Sequence, residues 1–333
     1  MSDAVKWGIL GCAGIAERAL IPAIRASSTG ELAGIASRDE RKARVWAEQF
    51  GMPRAYKNYA DLLKDPAVEA VYIPLANHLH RPWTIRALKA GKHVLCEKPI
   101  ALDAREARAM AAAARRSGRL LMEAFMYRFH PQIERAIEIA RGGEIGEVRF
   151  IRSSFTFTYA GDPFNYRWYP RMGGGSLLDV GCYPLSAARL VFGAEPLSVY
   201  ARGRFHPRRR VDMSVSALLE FPGGGWALLD SSYETQFQSR IEIAGSRGRI
   251  EIPRAFSQKS LAVEIRLVKG DEESILKIPA ANAFARMVDH FGDALRQNRP
   301  LRCDGRDAVF NMKTIDAVFG SIRNNRTVRL SAR

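Results

Sequence analysis

Apolar runs and amphipathic stretches alternate along the first third of the chain. Val5–Leu10 is a short apolar run and predicts a buried strand, followed by a tight turn at Gly11-Cys12-Ala13-Gly14. From Ile15 to Arg25 the apolar residues are spaced as in a helix. Leu32–Ser37 reads as a strand, and Asp39–Phe50 as a helix capped by Asp39. Further strands are predicted at Ala70–Pro74, His93–Cys96 and Leu120–Phe125. Between them, His80–Ala90 and Asp103–Ser117 read as helices closed by Gly91 and Gly118. Strand–helix alternation with short links predicts a doubly wound parallel sheet with helices on both faces.

The pattern changes near Arg128. After a helix at Pro131–Arg141 the strands lengthen. In Val148–Tyr159 one face carries Ile151, Phe155, Phe157 and Tyr159, and the other carries Arg152, Ser154, Thr156 and Thr158, as in a half-exposed strand. More strands are predicted at Leu197–Phe205, Met213–Phe221, Trp226–Tyr233, Arg240–Ala244, Arg249–Ile252, Val263–Val268 and Ser274–Ile278. Glycine-bearing turns join several of them, which predicts a largely antiparallel sheet. Helices at Asn282–Gln297, with Asn282 as its cap, and at Arg306–Arg323 close the chain. The expected domains are residues 1–127 and 128–333.

Composition narrows the class. The chain has 333 residues, enough for about two domains at ~150 residues each. Hydrophobic residues make up 47% and charged residues 26%, so a large core forms and extensive disorder is excluded. No apolar run approaches the ~20 residues of a membrane span. Met1–Leu10 lacks the pattern of a signal peptide, and the expected location is the cytoplasm. Cys12, Cys96, Cys182 and Cys303 are far apart, so no zinc or redox spacing occurs and reduced, buried thiols are expected. No metal site is expected. The net charge of +16 admits a nucleic-acid partner, phosphorylated small molecules, or simply an Arg-rich surface. Basic residues are spread along the chain, and the one dense run, Arg208-Arg209-Arg210, reads as a loop, so no nucleic-acid partner is expected.

The candidate chemistry begins at the first turn. Gly11-Cys12-Ala13-Gly14-Ile15-Ala16 lies between a strand and a helix, where little side chain and free N–H groups suit a dinucleotide pyrophosphate. Ala13 replaces the second glycine of the usual pattern. An ordinary strand-to-helix turn is the alternative. At the end of the second strand stand Ser37 and Arg38, with no carboxylate to repel a phosphate. A guanidinium pairs with a 2′-phosphate, so NADP is expected rather than NAD, with Lys42 as a second cation. The competing reading makes Arg38 a solvated surface residue. Pro74, Leu75, Asn77 and His80 follow the next strand, and Glu97 and Lys98 the one after, all at the sheet edge where such folds bind ligands. His80 either caps the following helix or touches the nicotinamide side of the cofactor. Lys98 binds a substrate oxygen and lowers the pKa of a neighbouring acid, or is a surface lysine in a turn. Asp179 and Tyr183 are four apart and share a face if their segment is helical, although Pro184 would disturb a regular helix. Tyr183 reads either as a proton donor and acceptor beside a cation or as a core aromatic. Asp179 would orient the substrate or Lys98.

Together the glycine turn, Glu97-Lys98-Pro99, the run Glu123 to Pro131 and the run Gly173-Gly174-Gly175 to Pro184 resemble the Gfo/Idh/MocA oxidoreductases, essentially over the whole chain. The resemblance implies a Rossmann domain followed by a C-terminal α/β domain whose large, mostly antiparallel open sheet forms the oligomer interface, giving a homodimer or homotetramer. It implies hydride transfer between NAD(P) and a sugar or related polyol bound between the domains. It makes Lys98 the family lysine and Asp179 the family aspartate. Many members carry His where this chain has Tyr183. Tyrosine there resembles the branch that holds NADP-dependent D-xylose dehydrogenases, dimeric dihydrodiol dehydrogenases and sugar 3-ketoreductases. Arg167 and Trp168 fall where such enzymes approach nicotinamide or substrate. The reading is an NADP-dependent sugar oxidoreductase with Lys98, Tyr183 and Asp179 as catalytic residues. A non-catalytic NADP-binding sensor and a trans-dihydrodiol dehydrogenase are the alternatives.

Overall fold

The computed structural model describes residues 4–257 and 260–330, so Met1–Asp3 at the start of the first segment lie outside it. It contains a six-stranded and a nine-stranded sheet. One compact unit runs to Met126 and takes in Asn282–Val309, and the other holds Tyr127–Ala281 and the chain from Phe310 onward.

The first unit is built on parallel strands β1 (Val5–Leu10), β2 (Gly30–Ala36), β3 (Ala55–Tyr56), β4 (Ala70–Ile73), β5 (His93–Cys96) and β6 (Leu121–Glu123). Their order is β3-β2-β1-β4-β5-β6. Trp7, Ile9, Val71, Ile73, Val94 and Leu95 are fully buried, which is why these strands read as continuous apolar runs. The sheet reverses direction beside β1, and the carboxyl ends of β1 and β4 flank that switch point. The helices are α1 (Ile21–Ala26), α2 (Glu40–Gln49), α3 (Tyr59–Lys64), α4 (His80–Lys89) and α5 (Ala104–Ser117). Asp39 caps α2 by accepting from Arg41 and Lys42 N–H, and Asp103 caps α5 with Gly118 in the left-handed conformation at its end.

The helix expected at Asn282–Gln297 packs in this first unit rather than in the second. Its Phe291 ring lies 4.9 Å from that of Trp7 on β1. Its Asp289 accepts from Ser27 Oγ at 2.7 Å and Ser28 N–H at 2.8 Å. Its Arg296 donates to both Glu69 oxygens at 2.8 Å. An apolar stripe on a helix predicts burial but does not name the surface that covers it.

The second unit begins with α6 (Pro131–Arg141) and β7 (Val148–Thr156). After α7 (Cys182–Phe192) come β8 (Ser198–Phe205), β9 (Asp212–Glu220), β10 (Trp226–Ser232), β11 (Gln238–Gly245), β12 (Arg249–Ile252), β13 (Val263–Lys269) and β14 (Glu272–Ile278). The chain then passes through α8 (Ala283–Gln297) in the first unit and α9 (Gly305–Asn324), which runs from the first unit into the second, and β15 (Val328–Arg329) ends the sheet order β14-β13-β12-β11-β7-β10-β9-β8-β15. All pairs are antiparallel except β7 with β10. Strand β7 is central, and the half-exposed reading of its polar face holds at the exposed Arg152 and Thr158 but fails between them. Ser154 and Thr156 are buried, with Ser154 Oγ donating to Asp230 at 2.7 Å and Thr156 Oγ1 to the Gln236 carbonyl at 2.7 Å. Among the described residues no helix is long and apolar enough to cross a membrane.

Candidate functional site

The first unit gathers the residues expected to hold a cofactor at the carboxyl edge of its sheet. Gly11 turns the chain out of β1 with φ of 111°. That positive φ calls for glycine, and a Cβ there would stand 2.8 Å from the tip of the Leu75 side chain. The Ala13 carbonyl accepts from Ala16 N–H at 2.9 Å and Glu17 N–H at 3.2 Å, opening a helical segment with a wider turn at Ala16–Leu20. The N–H groups of Ala13, Gly14 and Ile15 have no acceptor among the described residues. Those donors, and the small side chains around them, fit the pyrophosphate of a dinucleotide.

Beyond β2 the chain carries no acid until Asp39, which is spent on capping α2. Ser37 Oγ accepts Asp39 N–H at 3.2 Å. Burial raises the Cys12 pKa, with Ser37 and Lys42 pulling the other way. Arg38 is exposed, and its charge partly offsets the burial that raises the Tyr59 pKa. Lys42 Nζ lies 5.8 Å above the Trp46 ring. Two cations and no free carboxylate therefore stand at this strand end, a donor set suited to a 2′-phosphate.

The loops after β4 and β5 are tied together by His80, which is fully buried. Its Nδ1 lies 2.8 Å from the Pro99 carbonyl and its Nε2 2.8 Å from the Leu75 carbonyl. Burial lowers its pKa to about 4, against two carbonyls that favour the protonated ring. Pro74 and Asn77 are buried beside it in sequence, with Leu75 half-buried. Glu97 is buried and turned back into the sheet. It accepts from the Tyr72 hydroxyl at 2.6 Å and from Lys98 N–H at 3.2 Å. Glu123 accepts from Ile100 N–H at 2.8 Å. The half-buried Lys98 thus sits on a loop braced by His80, Glu97 and Glu123.

In the second unit the Gly173-Gly174-Gly175 run is explained by close approach. A Cβ on Gly174 would lie 2.3 Å from the Arg167 carbonyl, and one on Gly175 2.0 Å from Asp212 Oδ1. The buried Asp212 accepts from Leu177 N–H at 2.6 Å and Ser176 Oγ at 2.9 Å, at the start of the Leu177–Gly181 turn that leads into α7. Burial raises its pKa, and these donors offset part of that. Pro184 lies just past the wider Leu177–Gly181 turn, which runs directly into α7, and the helix continues through it unbroken.

Of the residues named from sequence, Arg167 and Asp179 come together. Arg167 Nε lies 2.6 Å from Asp179 Oδ2, and its Nη2 3.0 Å from Oδ1. Burial pulls the Arg167 pKa down, but the charge of Asp179 more than offsets it and raises the pKa overall. The Tyr233 hydroxyl donates to Asp179 Oδ2 at 2.9 Å, and burial with the adjacent carboxylate lifts its pKa well above the usual value. Tyr183 is 6% exposed, among the rings of Phe155 at 5.3 Å, Phe256 at 5.4 Å and Tyr127 at 5.7 Å. Trp168 packs on Tyr159 at 5.1 Å. Sequence reasoning passed over Tyr59, Tyr72, Asp212 and Tyr233, which lie in no local motif, and gave Glu123, which opens one of the motif runs, no role. Among the described residues no cluster of His, Cys, Asp and Glu has the makings of a metal site. Cys96, Cys182 and Cys303 are buried, Cys12 is half-buried, and all are free thiols.

Residues 5–125 match the model of the Gfo/Idh/MocA oxidoreductase family with its NAD-binding Rossmann fold, and residues 133–251 match the family's C-terminal domain. The chain belongs to the Gfo/Idh/MocA oxidoreductase family. It is 39% identical to D-xylose 1-dehydrogenase (NADP(+)) 2 of Haloferax volcanii, over 98% of this chain and all of that one. The solved aldose-aldose oxidoreductase of Caulobacter crescentus, complexed with glycerol, superposes with a TM-score of 0.93 at 32% identity, covering 98% of this chain and 100% of that one. A 3-ketoreductase of Actinomadura kijaniata, solved with NADP and TDP-benzene, superposes with a TM-score of 0.89 at 35% identity, covering 96% and 98%.

Proposed function

We propose that this protein moves a hydride between NADP and a hydroxyl or keto carbon of a sugar or related polyol. The observation that carries this reading is the convergence of the glycine turn, Ser37-Arg38 and Lys98 at one edge of the parallel sheet. The relatives named for NADP and for sugar substrates support it.

The domains divide the work near residues 127 and 128, the first unit holding cofactor and the second substrate. Gly11, Cys12, Ala13, Gly14, Ile15 and Ala16 hold the pyrophosphate through backbone N–H groups. Ser37, Arg38 and Lys42 hold the 2′-phosphate. Pro74, Leu75, Asn77 and Glu97 shape the loops on the nicotinamide side, and His80 positions them. Bound there, the dinucleotide supplies or accepts the hydride. The Tyr183 hydroxyl takes the proton of the substrate hydroxyl in oxidation and returns it in reduction. Lys98 steadies the reacting oxygen with its charge. Asp179 fixes Arg167, and Arg167 with Trp168 orients the substrate.

The same reading places the protein in the cytoplasm, in keeping with four free thiols. It also makes the protein a homodimer or homotetramer through the open face of the nine-stranded sheet. Tyr200, Leu218 and Leu228 stand in one cross-strand row there, with Tyr200 39% and Leu228 43% exposed, and the exposed Trp226 lies on the same strand as Leu228.

The test is a panel of aldoses and polyols with NADP, and of keto-sugars with NADPH, followed by nicotinamide absorbance. Turnover of a sugar supports the proposal. NADPH binding without turnover of any member speaks for a non-catalytic sensor.

A further inference from the structure

The basic run singled out in the sequence has a fixed shape and a defined neighbourhood. It lies in the turn between β8 and β9. His206 Nδ1 accepts N–H from Arg208 at 3.2 Å and Arg209 at 3.1 Å, and the His206 carbonyl accepts from Arg210 N–H at 2.9 Å. Arg210 takes a left-handed φ of 58°. The loop is therefore pinned by its own histidine. The His206 ring meets the Trp168 ring edge-on at 5.7 Å, and the Arg209 guanidinium lies 5.6 Å over the Tyr169 ring. From Trp168 the aromatic contacts run on through Tyr159 and Tyr233 to Asp179, at 5.1, 5.1 and 2.9 Å.

The loop concentrates positive charge, with three arginines consecutive at positions 208–210. Arg152 and Arg204 in the same sheet are neutralised by Glu242 and Glu234. Among the described residues Arg171, Arg208, Arg209 and Arg210 have no carboxylate partner. Asp179 is committed to Arg167, Asp212 to Ser176 and Leu177, and Glu234 to Arg204. Three consecutive arginines without a carboxylate partner give this turn a positive potential that attracts an anion. Guanidinium forks match phosphate oxygens, and the Trp168 and Tyr169 faces suit a sugar ring or a base.

We infer that the second unit carries an anion subsite on the His206–Arg210 loop, beside Trp168 and Tyr169, that binds the phosphate or diphosphate group of a sugar substrate. The inference rests on the reading of the second unit as the substrate unit. It adds that the substrate is phosphorylated or nucleotide-linked rather than a free sugar.

The test is calorimetric titration of glucose 6-phosphate and of dTDP into protein saturated with NADP, so that the cofactor site is occupied. The same titrations are run on the variant R208Q/R209Q/R210Q and, since its residues are surface ones, on R208Q and R210Q singly. Binding of either probe that weakens at least tenfold in the triple variant and falls as salt rises supports the subsite. The tighter probe distinguishes a sugar phosphate from a sugar nucleotide. Absence of binding to the unaltered protein, or equal binding to the triple variant, overturns it. Neither result depends on turnover, so failure of the sugar panel and failure of this subsite are separate outcomes.

Discussion

Arg167 grips both carboxylate oxygens of Asp179, at 2.6 and 3.0 Å, with Asp179 almost wholly buried. A bidentate pair of this kind fixes both side chains in direction as well as distance. It anchors the 159–171 loop, which lacks regular strand or long helix, to the turn that opens α7. Replacing Asp179 by Asn leaves a largely buried guanidinium without its counter-charge, at a cost of ~3 kcal/mol. Thermal unfolding of Asp179→Asn should therefore show a clear drop in Tm, and Arg167→Lys a smaller one, because lysine keeps the charge and loses the fork. An unchanged Tm in Asp179→Asn would remove the pair from its anchoring role.

Tyr183 has the opposite character. Its ring packs among Phe155, Phe256 and Tyr127, and phenylalanine fills the same space. Tyr183→Phe should lower turnover by ~100- to 10,000-fold while NADPH affinity and Tm stay near their original values. A variant with full turnover would show Tyr183 to be a core aromatic and nothing more.

The glycine run answers to sterics. Gly175 has a φ of 109°, and an added Cβ would sit 2.0 Å from Asp212 Oδ1. Gly175→Ala should destabilise by about 3 kcal/mol and displace the turn that carries Asp179. Asp212→Ala removes the clash partner but also the acceptor of Leu177 N–H and Ser176 Oγ, costing ~2 kcal/mol. The double variant should lose less than the two single losses added together, measurable by urea unfolding. Strict additivity would mean that the two residues do not oppose each other.

Much of the architecture was open to reading in the sequence because its cause is local. Buried parallel strands must be apolar throughout, so β1, β4 and β5 stood out within a residue or so. Caps such as Asp39, Asp103 and Asn282 act on N–H groups two or three residues away. Strand β3 and helix α3 were missed, being two and six residues long with polar neighbours. The polar face of β7 misled because burial of Ser154 and Thr156 depends on partners in β10 and the loop after it. The site shows the same division. The glycine turn and Glu97-Lys98-Pro99 are contiguous motifs. Tyr233 stands 54 positions from Asp179, and Asp212 35 positions from Leu177. Only the nine-stranded sheet brings those residues together, and no periodicity encodes that.

Acid should weaken the first unit through His93. Its Nδ1 accepts Leu120 N–H at 3.0 Å, which requires an unprotonated nitrogen. Burial, with Arg119 adding to it, lowers the pKa from 6.5 to about 4. Between those values the unfolded chain binds a proton that the folded chain refuses, so stability rises with pH and is lost as pH falls through the window. His80 titrates in the same range. His93→Asn keeps an acceptor near the Leu120 N–H and removes the titration. Its stability should fall less steeply between pH 6.5 and about 4 than that of the unaltered protein. An identical slope in denaturant melts across that range would contradict the assignment.

The account turns on which dinucleotide the edge of the six-stranded sheet accepts. Paired fluorescence titrations of the purified protein with NADPH and NADH decide this, since the nicotinamide and the tryptophans both report binding. With Arg38 and Lys42 at the end of β2 and Asp39 spent on its cap, NADPH should bind at least ~10-fold more tightly. Arg38→Ala should erase most of that margin by weakening NADPH alone. Equal affinity for the two, tighter NADH, or binding of neither would contradict it.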